Sequence, residues 1–254
     1  MQPAYIHTEQ VHNFSAAEEI MPVLLSHFSP KRILDVGCGT GTWLKVAQTL
    51  GVPNVLGLDG SYVPLDQLKI DPELFRGIDL REPFDIQQQF DLVMSLEVAE
   101  HLPESSAKGF VESLTKHGRV IVFSAAIPDQ GGQYHINEQT PGYWKNLFEA
   151  EGYRLYDVFR MTFWDNPRVD FWYKQNMFLY VHQDTSLPEP WASISSGFQW
   201  PENTIHPGLL AHKVTELRYA EDQVLQLRRA PGVKQAARTF WLELLGKLGL
   251  KKQG

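Results

Sequence analysis

Asp35-Val-Gly-Cys-Gly-Thr-Gly41 decides the fold. It follows the apolar pair Ile33-Leu34, opens a helical pattern over residues 42–50, and is answered eighteen residues past its last glycine by Asp59. Strand, glycine turn, helix, strand and acid, in that order, describe a nucleotide-binding half-fold. Glycine is needed because a backbone without Cβ reaches positive φ and lets a ligand lie against its amides. Asp59 is then placed to accept hydrogen bonds from the two hydroxyls of a ribose. The glycines fall at 37, 39 and 41, whereas the dinucleotide fingerprint needs its third glycine at 42, which is Thr42. The turn therefore reads against a pyridine dinucleotide. An ordinary turn, or a solvated acid in Asp59-Gly60, explains one residue at a time but not the ordered set.

At 254 residues the chain suits one large domain, or a domain of about 180 residues with an appendage. The net charge of −7 argues against the broad basic footprint that binds nucleic acid. One cysteine, Cys38, forms no internal disulfide, and inside the glycine turn it reads as packing rather than as a reactive thiol. The first ten residues lack the basic start and apolar core of a signal peptide, and no apolar run approaches the roughly 20 residues that span a bilayer. A cytoplasmic location is the default expectation.

Outward from the turn, Ser15-Ala-Ala-Glu18 has the pattern of a capping box, and Ile20, Val23, Leu24 and Phe28 continue it as a short helix bent at Pro22 and ended by Pro30. Apolar, β-branched runs bounded by breakers predict strands at residues 32–36, 54–58, 75–78, 90–96 and 119–124, with helices at 42–50 and 105–116. Thr140 caps and Pro141 starts a further helix that closes at Gly152. Residues 153–160 and 172–182 read as two more strands, joined by a loop too short for a helix and adding an antiparallel edge. The predicted class is α/β: a Rossmann-like, doubly wound, seven-stranded sheet whose last strand is reversed, with a C-terminal helical extension.

Residues 184–208, rich in Pro, Ser and Trp, read as a covering loop, and 209–254 as the extension. There Leu210, Val214, Leu217, Val224 and Leu227 make a stripe interrupted by Glu221, and Pro231-Gly232 breaks it. A second helix gathers Val233, Ala236, Ala237, Phe240, Trp241, Leu244, Leu245 and Leu248 on one face. That face suits either docking, on the body or on a second subunit, or peripheral contact with a membrane surface through its lysines and Trp241.

Chemistry concentrates in two further stretches. Glu97-Val-Ala-Glu100-His101 begins where the fourth strand ends, at the sheet edge where open α/β folds bind ligands. A helical turn there brings two carboxylates and an imidazole together on a divalent cation, magnesium or manganese; the alternative is a lone Glu97 with Glu100 and His101 capping a helix. Gly131-Gly-Gln-Tyr-His135-Ile-Asn-Glu138 follows the fifth strand and overhangs the same edge. His135 suits a general base or a fourth metal ligand, or simply bonds its own loop. Trp164, Trp172, Tyr173, Trp191 and Trp200 can stack on sugar faces, but large aromatics near strand ends more often fill core and lid. Tyr5, His7 and His12 can fold over the site as an N-terminal lid.

Residues 33–44, 56–59, 77–80 and 90–102 resemble class I S-adenosylmethionine-dependent methyltransferases, and the likeness covers about residues 14–182 within a domain bounded at 1–183. The Glu97 to His101 segment resembles the ubiquinone-biosynthesis O-methyltransferase branch, and residues 131–144 resemble bacterial methyltransferases found with surface-glycan genes. The resemblance implies that Gly37, Gly39 and Gly41 lie under the methionine portion of S-adenosylmethionine, with Asp35 near its amino group, Asp59 on the ribose, and Asp79 and Leu80 beside the adenine. It also implies a metal set of Glu97, Glu100, His101 and His135, as in a family that methylates small-RNA 2′-hydroxyls. The expected activity is O-methylation of a sugar, a glycan or a sugar-containing small molecule, with His101 and His135 as catalytic residues. RNA 2′-O-methylation and a non-catalytic cofactor-binding scaffold stand as alternatives.

Overall fold

The computed structural model describes residues 14–229 together with 232, 235, 238 and 240–242. Tyr5, His7, His12 and most of the second C-terminal helix lie outside the described residues. The chain forms two compact units, Met1–His206 and Pro207–Gly254.

The first unit runs α1 (Ser15–Phe28), β1 (Arg32–Val36), α2 (Thr42–Thr49), β2 (Asn54–Asp59), β3 (Phe75–Gly77), β4 (Leu92–Leu96), α3 (Ala107–Thr115), β5 (Val120–Ser124), α4 (Pro141–Ala150), β6 (Tyr153–Tyr156), α5 (Phe159–Phe163), α6 (Phe171–Asn176) and β7 (Phe178–His182). The sheet order is β3-β2-β1-β4-β5-β7-β6. The first five strands pair in parallel, and β7 runs antiparallel to both β5 and β6, so the reversed last strand is present as expected.

The strands are apolar on both sides because helices cover both faces of the sheet. Alternate side chains sort accordingly. Ile33, Met94, Val122 and Leu179 pack against α1 and α2 through Ile20, Leu24 and Leu44. Leu34, Val93, Ile121 and Tyr180 pack against α3 and α4 through Phe110, Leu114 and Phe148. Phe148 and Tyr180 stack with ring centroids 4.0 Å apart. The strand order reverses between β1 and β4, which places the ligand crevice at their carboxyl ends.

Three local expectations are corrected. Helix α1 is capped by Phe14 without a side-chain bond, so the Ser15-to-Glu18 box does not form; the Glu18 carboxylate instead meets Arg168 at 2.6 Å. The strand expected over 153–160 ends at Tyr156, because Asp157 and Arg160 form a fully buried ion pair at helical spacing and turn the chain into α5. The strand expected over 172–182 begins only at Phe178: α6 takes up residues 171–176, whose buried Gln175 and Asn176 spend their amides on side-chain bonds instead of a ladder. Two short helices thus occupy the connection that was expected to hold none.

Helix α4 keeps its predicted start, with Thr140 as N-cap accepting from the Tyr143 backbone N–H and Pro141 in the first turn. Trp191, in the span 184–208, is buried against His27 and Phe159, filling core as the less specific reading had it. In the second unit, α7 spans Pro207–Arg229 and leaves Leu210, Leu217 and Val224 exposed.

Candidate active site at the carboxyl edge of the sheet

Asp35 interrupts an otherwise apolar strand, and its consequences are electrostatic. The residue is 2% exposed, and its Oδ2 has no hydrogen-bond partner. Burial, reinforced by the charge of Asp59, pushes its carboxyl up from 3.8 to about 8. A buried polar atom left without a partner is costly, and this one lies on β1, beside the reversal of strand order. Asp59, the last residue of β2, accepts from the Gly39 N–H at 2.7 Å, the Gly60 N–H at 2.6 Å and the Tyr62 hydroxyl at 2.9 Å.

The glycine turn takes positive φ at all three positions, +83° at Gly37, +53° at Gly39 and +82° at Gly41. Its close contacts revise the initial explanation. A Cβ on Gly37 would lie 2.2 Å from Val98 Cγ2, and one on Gly41 would lie 2.9 Å from Ile70 Cγ1. Glycine is therefore required at 37 and 41 by packing within the protein, beside the backbone conformation itself. Cys38 sits under the turn against Gly57, and burial together with Asp35 pushes its thiol up, so it packs and stays protonated.

This cradle holds two buried carboxylates, and the partners of Asp59 are neutral. A pyrophosphate would find two acids and no cation there, whereas an ammonium would find carboxyl oxygens that accept its hydrogens. S-adenosylmethionine carries an ammonium, and the unpartnered Asp35 oxygen fits it.

The second group forms where β4 and β5 end. Glu97 adopts φ +55°, a conformation that L-residues reach only with strain. The expected helical turn follows as a short 3-10 turn, Ala99–His101. Glu97 is clamped by amides: the Gln130 amide donates to Oε2 at 3.0 Å and the Asn176 amide to Oε1 at 3.3 Å. Glu100 is fully buried, and neither carboxylate oxygen has a hydrogen-bond partner. Burial, then the neighbouring Glu97, pushes the Glu100 carboxyl well up. The Glu100 carbonyl accepts the backbone N–H groups of Ile136 at 2.9 Å and Asn137 at 3.0 Å, which draws the loop after β5 onto this turn.

That loop carries His135 to His101, their rings edge-to-face with centroids 4.8 Å apart. Ligand atoms of Glu100, His101 and His135 lie within 4.8 Å of one another, a group fit to hold a metal ion. Glu97, also expected in the set, lies outside this trio, between its two amides. His135 Nδ1 is 2.8 Å from Glu138 Oε1, which also accepts the Gly131 N–H at 2.7 Å. Its ring lies over Gly132, where a Cβ would come within 2.2 Å of Nε2.

Asp79 and Leu80 follow β3 at the same edge. Asp79 pairs with Arg81 at 2.6 Å, which holds its carboxyl below the usual range, and Leu80 is buried in the core. Tyr173 meets the edge of Trp43 at 5.4 Å, and burial together with the charge of Glu97 pushes its phenol up. Sequence reasoning quoted Glu138 without giving it a role and passed over Tyr62, each three residues from its partner, while Gln130 and Asn176 were missed because folding brings their partners from far along the chain. A cleft of about 320 Å³ bounded by Glu112, Lys116, Tyr153 and His182 lies at the opposite edge, where β5 and β6 begin.

Residues 7–125 match the family model described as "Methyltransferase domain". The ubiquinone biosynthesis O-methyltransferase of a Bradyrhizobium strain is 33% identical over 106 residues, which are 39% of this chain and 42% of that protein. The chain thus spans less than half the length of that relative. Among solved structures, the sugar N-methyltransferase KedS8 from a Streptoalloteichus species superposes with a TM-score of 0.52 at 15% identity, covering 72% of this chain and 97% of that one. The SAM-bound amino pentose methyltransferase CalS10 from Micromonospora echinaspora gives 0.51 at 16% identity, covering 72% and 99%. Glycine turn, acid pair, sheet order and family match agree: the chain carries a class I S-adenosylmethionine-dependent methyltransferase domain.

Proposed function

We propose that the chain methylates a hydroxyl oxygen of a sugar, a glycan or a sugar-containing small molecule. The observation that carries this reading is the adjacency, at one sheet edge, of the doubly acidic cradle and the Glu100–His101–His135 group. S-adenosylmethionine supplies a methyl group on a positively charged sulfur. Asp35 and Asp59 bind and orient it through its ammonium and ribose, and positioning of this kind supplies most of the rate in such transfers. His101 and His135 stand where the acceptor hydroxyl loses its proton, each able to take it on a neutral ring nitrogen.

If a divalent cation is required, Glu100, His101 and His135 hold it, and it supplies Lewis-acid stabilisation of the deprotonated acceptor. A vicinal diol suits that arrangement, since one oxygen anchors while the other is presented. The curated relative named as an O-methyltransferase supports oxygen as the accepting atom, and the net charge of −7 speaks against a polynucleotide acceptor. We place the reaction in the cytoplasm, in keeping with a single buried, free cysteine; no helix among the described residues is long and apolar enough to cross a membrane.

Calorimetry with S-adenosylmethionine and with NAD, followed by a labelled-methyl screen over sugars, phenols and RNA, tests the proposal. Binding of the first ligand alone and transfer to a sugar hydroxyl are expected, and transfer only to RNA or to nitrogen would overturn it. Activity that survives exhaustive chelation would remove the cation and leave a histidine base. Binding without transfer to any acceptor would favour a scaffold.

A further inference from the structure

The loop after β5 is built around one imidazole. Asp129 and Tyr134 both take positive φ, +66° and +61°, although neither is glycine, and Gly131 takes +69°. Three left-handed residues within six positions bring His135 back over Gly132, and the ring leaves no room there for a Cβ. Glu138 closes the arrangement. Its Oε1 receives both the Gly131 N–H and the His135 Nδ1 position, and its side chain is only 18% exposed.

We propose that Glu138 is a positioning residue that fixes His135 as the Nδ1–H tautomer and leaves the Nε2 lone pair for a ligand or a proton. The chemistry follows from the partner. A carboxylate has only acceptor sites, so a bond to Nδ1 requires that nitrogen to carry the hydrogen. The other nitrogen then carries the free lone pair, and the carboxylate behind the ring holds it in one orientation. The shared bond to Gly131 makes the same carboxylate set the loop and the ring together. The role rests on His135 acting at the site as proposed above, but the tautomer is measurable without any reaction.

Nitrogen-15 correlation spectra of the wild-type protein are expected to show His135 with hydrogen on Nδ1. In E138A the resonances should move toward the solution mixture of tautomers. An Nε2–H tautomer in the wild type, or an unchanged tautomer in E138A, overturns the proposal. Manganese titration without substrate gives a second readout: E138A should weaken binding about 10- to 100-fold. E138Q, which keeps an oxygen acceptor for Gly131 but no charge, should fall between the two. Unchanged manganese affinity in E138A also overturns the positioning role. If the wild type binds no manganese, the cation reading falls and the tautomer alone decides this one. An S-adenosylmethionine affinity equal to that of the wild type in both variants will show that the cradle is intact.

Discussion

Replacing Asp35 by asparagine separates what this carboxylate costs the fold from what it does for the cofactor. Its carboxyl lies at about 8 in the folded protein against 3.8 when free, raised first by burial and then by Asp59. Between those values the folded state holds one proton more than the unfolded state, so stability falls as pH rises. The stabilising contribution of protonated Asp35 is complete below pH 4 and is lost as pH climbs through 8. The slope is about 1.4 kcal/mol per pH unit, which over a span of about four units sets a ceiling of about 6 kcal/mol. The uncharged amide of D35N carries no such slope. Urea denaturation without cofactor should therefore show D35N gaining on the wild type by about 3 kcal/mol between pH 5 and pH 7. The same variant should bind S-adenosylmethionine about 10- to 100-fold more weakly, as loss of a charged hydrogen bond of about 1.5–3 kcal/mol requires. For the wild type, affinity should fall as pH drops below about 8, by up to about tenfold per unit, because the ammonium prefers the ionised carboxylate. A stability gap that stays flat from pH 5 to pH 8, or an unchanged affinity in D35N, would refute the reasoning.

Gly41→Ala places a Cβ 2.9 Å from Ile70 Cγ1 at a φ of +82°, so it should cost about 1–2 kcal/mol in urea and weaken S-adenosylmethionine binding in calorimetry. Gly132→Ala forces the His135 ring away; turnover should drop about 100-fold while cofactor affinity holds, a split read by initial rates beside calorimetry. Arg160→Met leaves Asp157 charged and buried without its partner, for a loss of about 3–5 kcal/mol that thermal unfolding will register. Replacing both members of that pair by apolar residues should restore part of the loss, and an R160M protein as stable as the wild type would contradict the network's role in seating residues 199–202.

Legibility followed how local each signal was. The positive-φ glycine turn, the strand that ends at Asp59 and the Thr140-Pro141 helix start depend on residues within one or two elements of each other, and these local conformations read correctly from residue type and spacing. The connection between β6 and β7 did not, because an apolar, aromatic run has no decisive period and the helices there are set by buried partners far along the chain. Arg160 bonds the carbonyls of Pro201 and Glu202, and Gln175 accepts from the His206 backbone. The Ser15-to-Glu18 pattern misled for the same reason, since Arg168 draws Glu18 away from the helix start.

What the residues alone determined was the strand, glycine turn, helix and acid unit, because these are contiguous and their geometry follows from backbone conformation. What only the tertiary structure decided was the second group of polar side chains. Glu100 and His135 are thirty-five positions apart, and Glu97 and Asn176 seventy-nine. Glu100 and His135 meet because parallel β4 and β5 deliver their carboxyl ends to one edge, and Asn176 reaches it because antiparallel β7 begins there; no local pattern encodes which side chains then face each other.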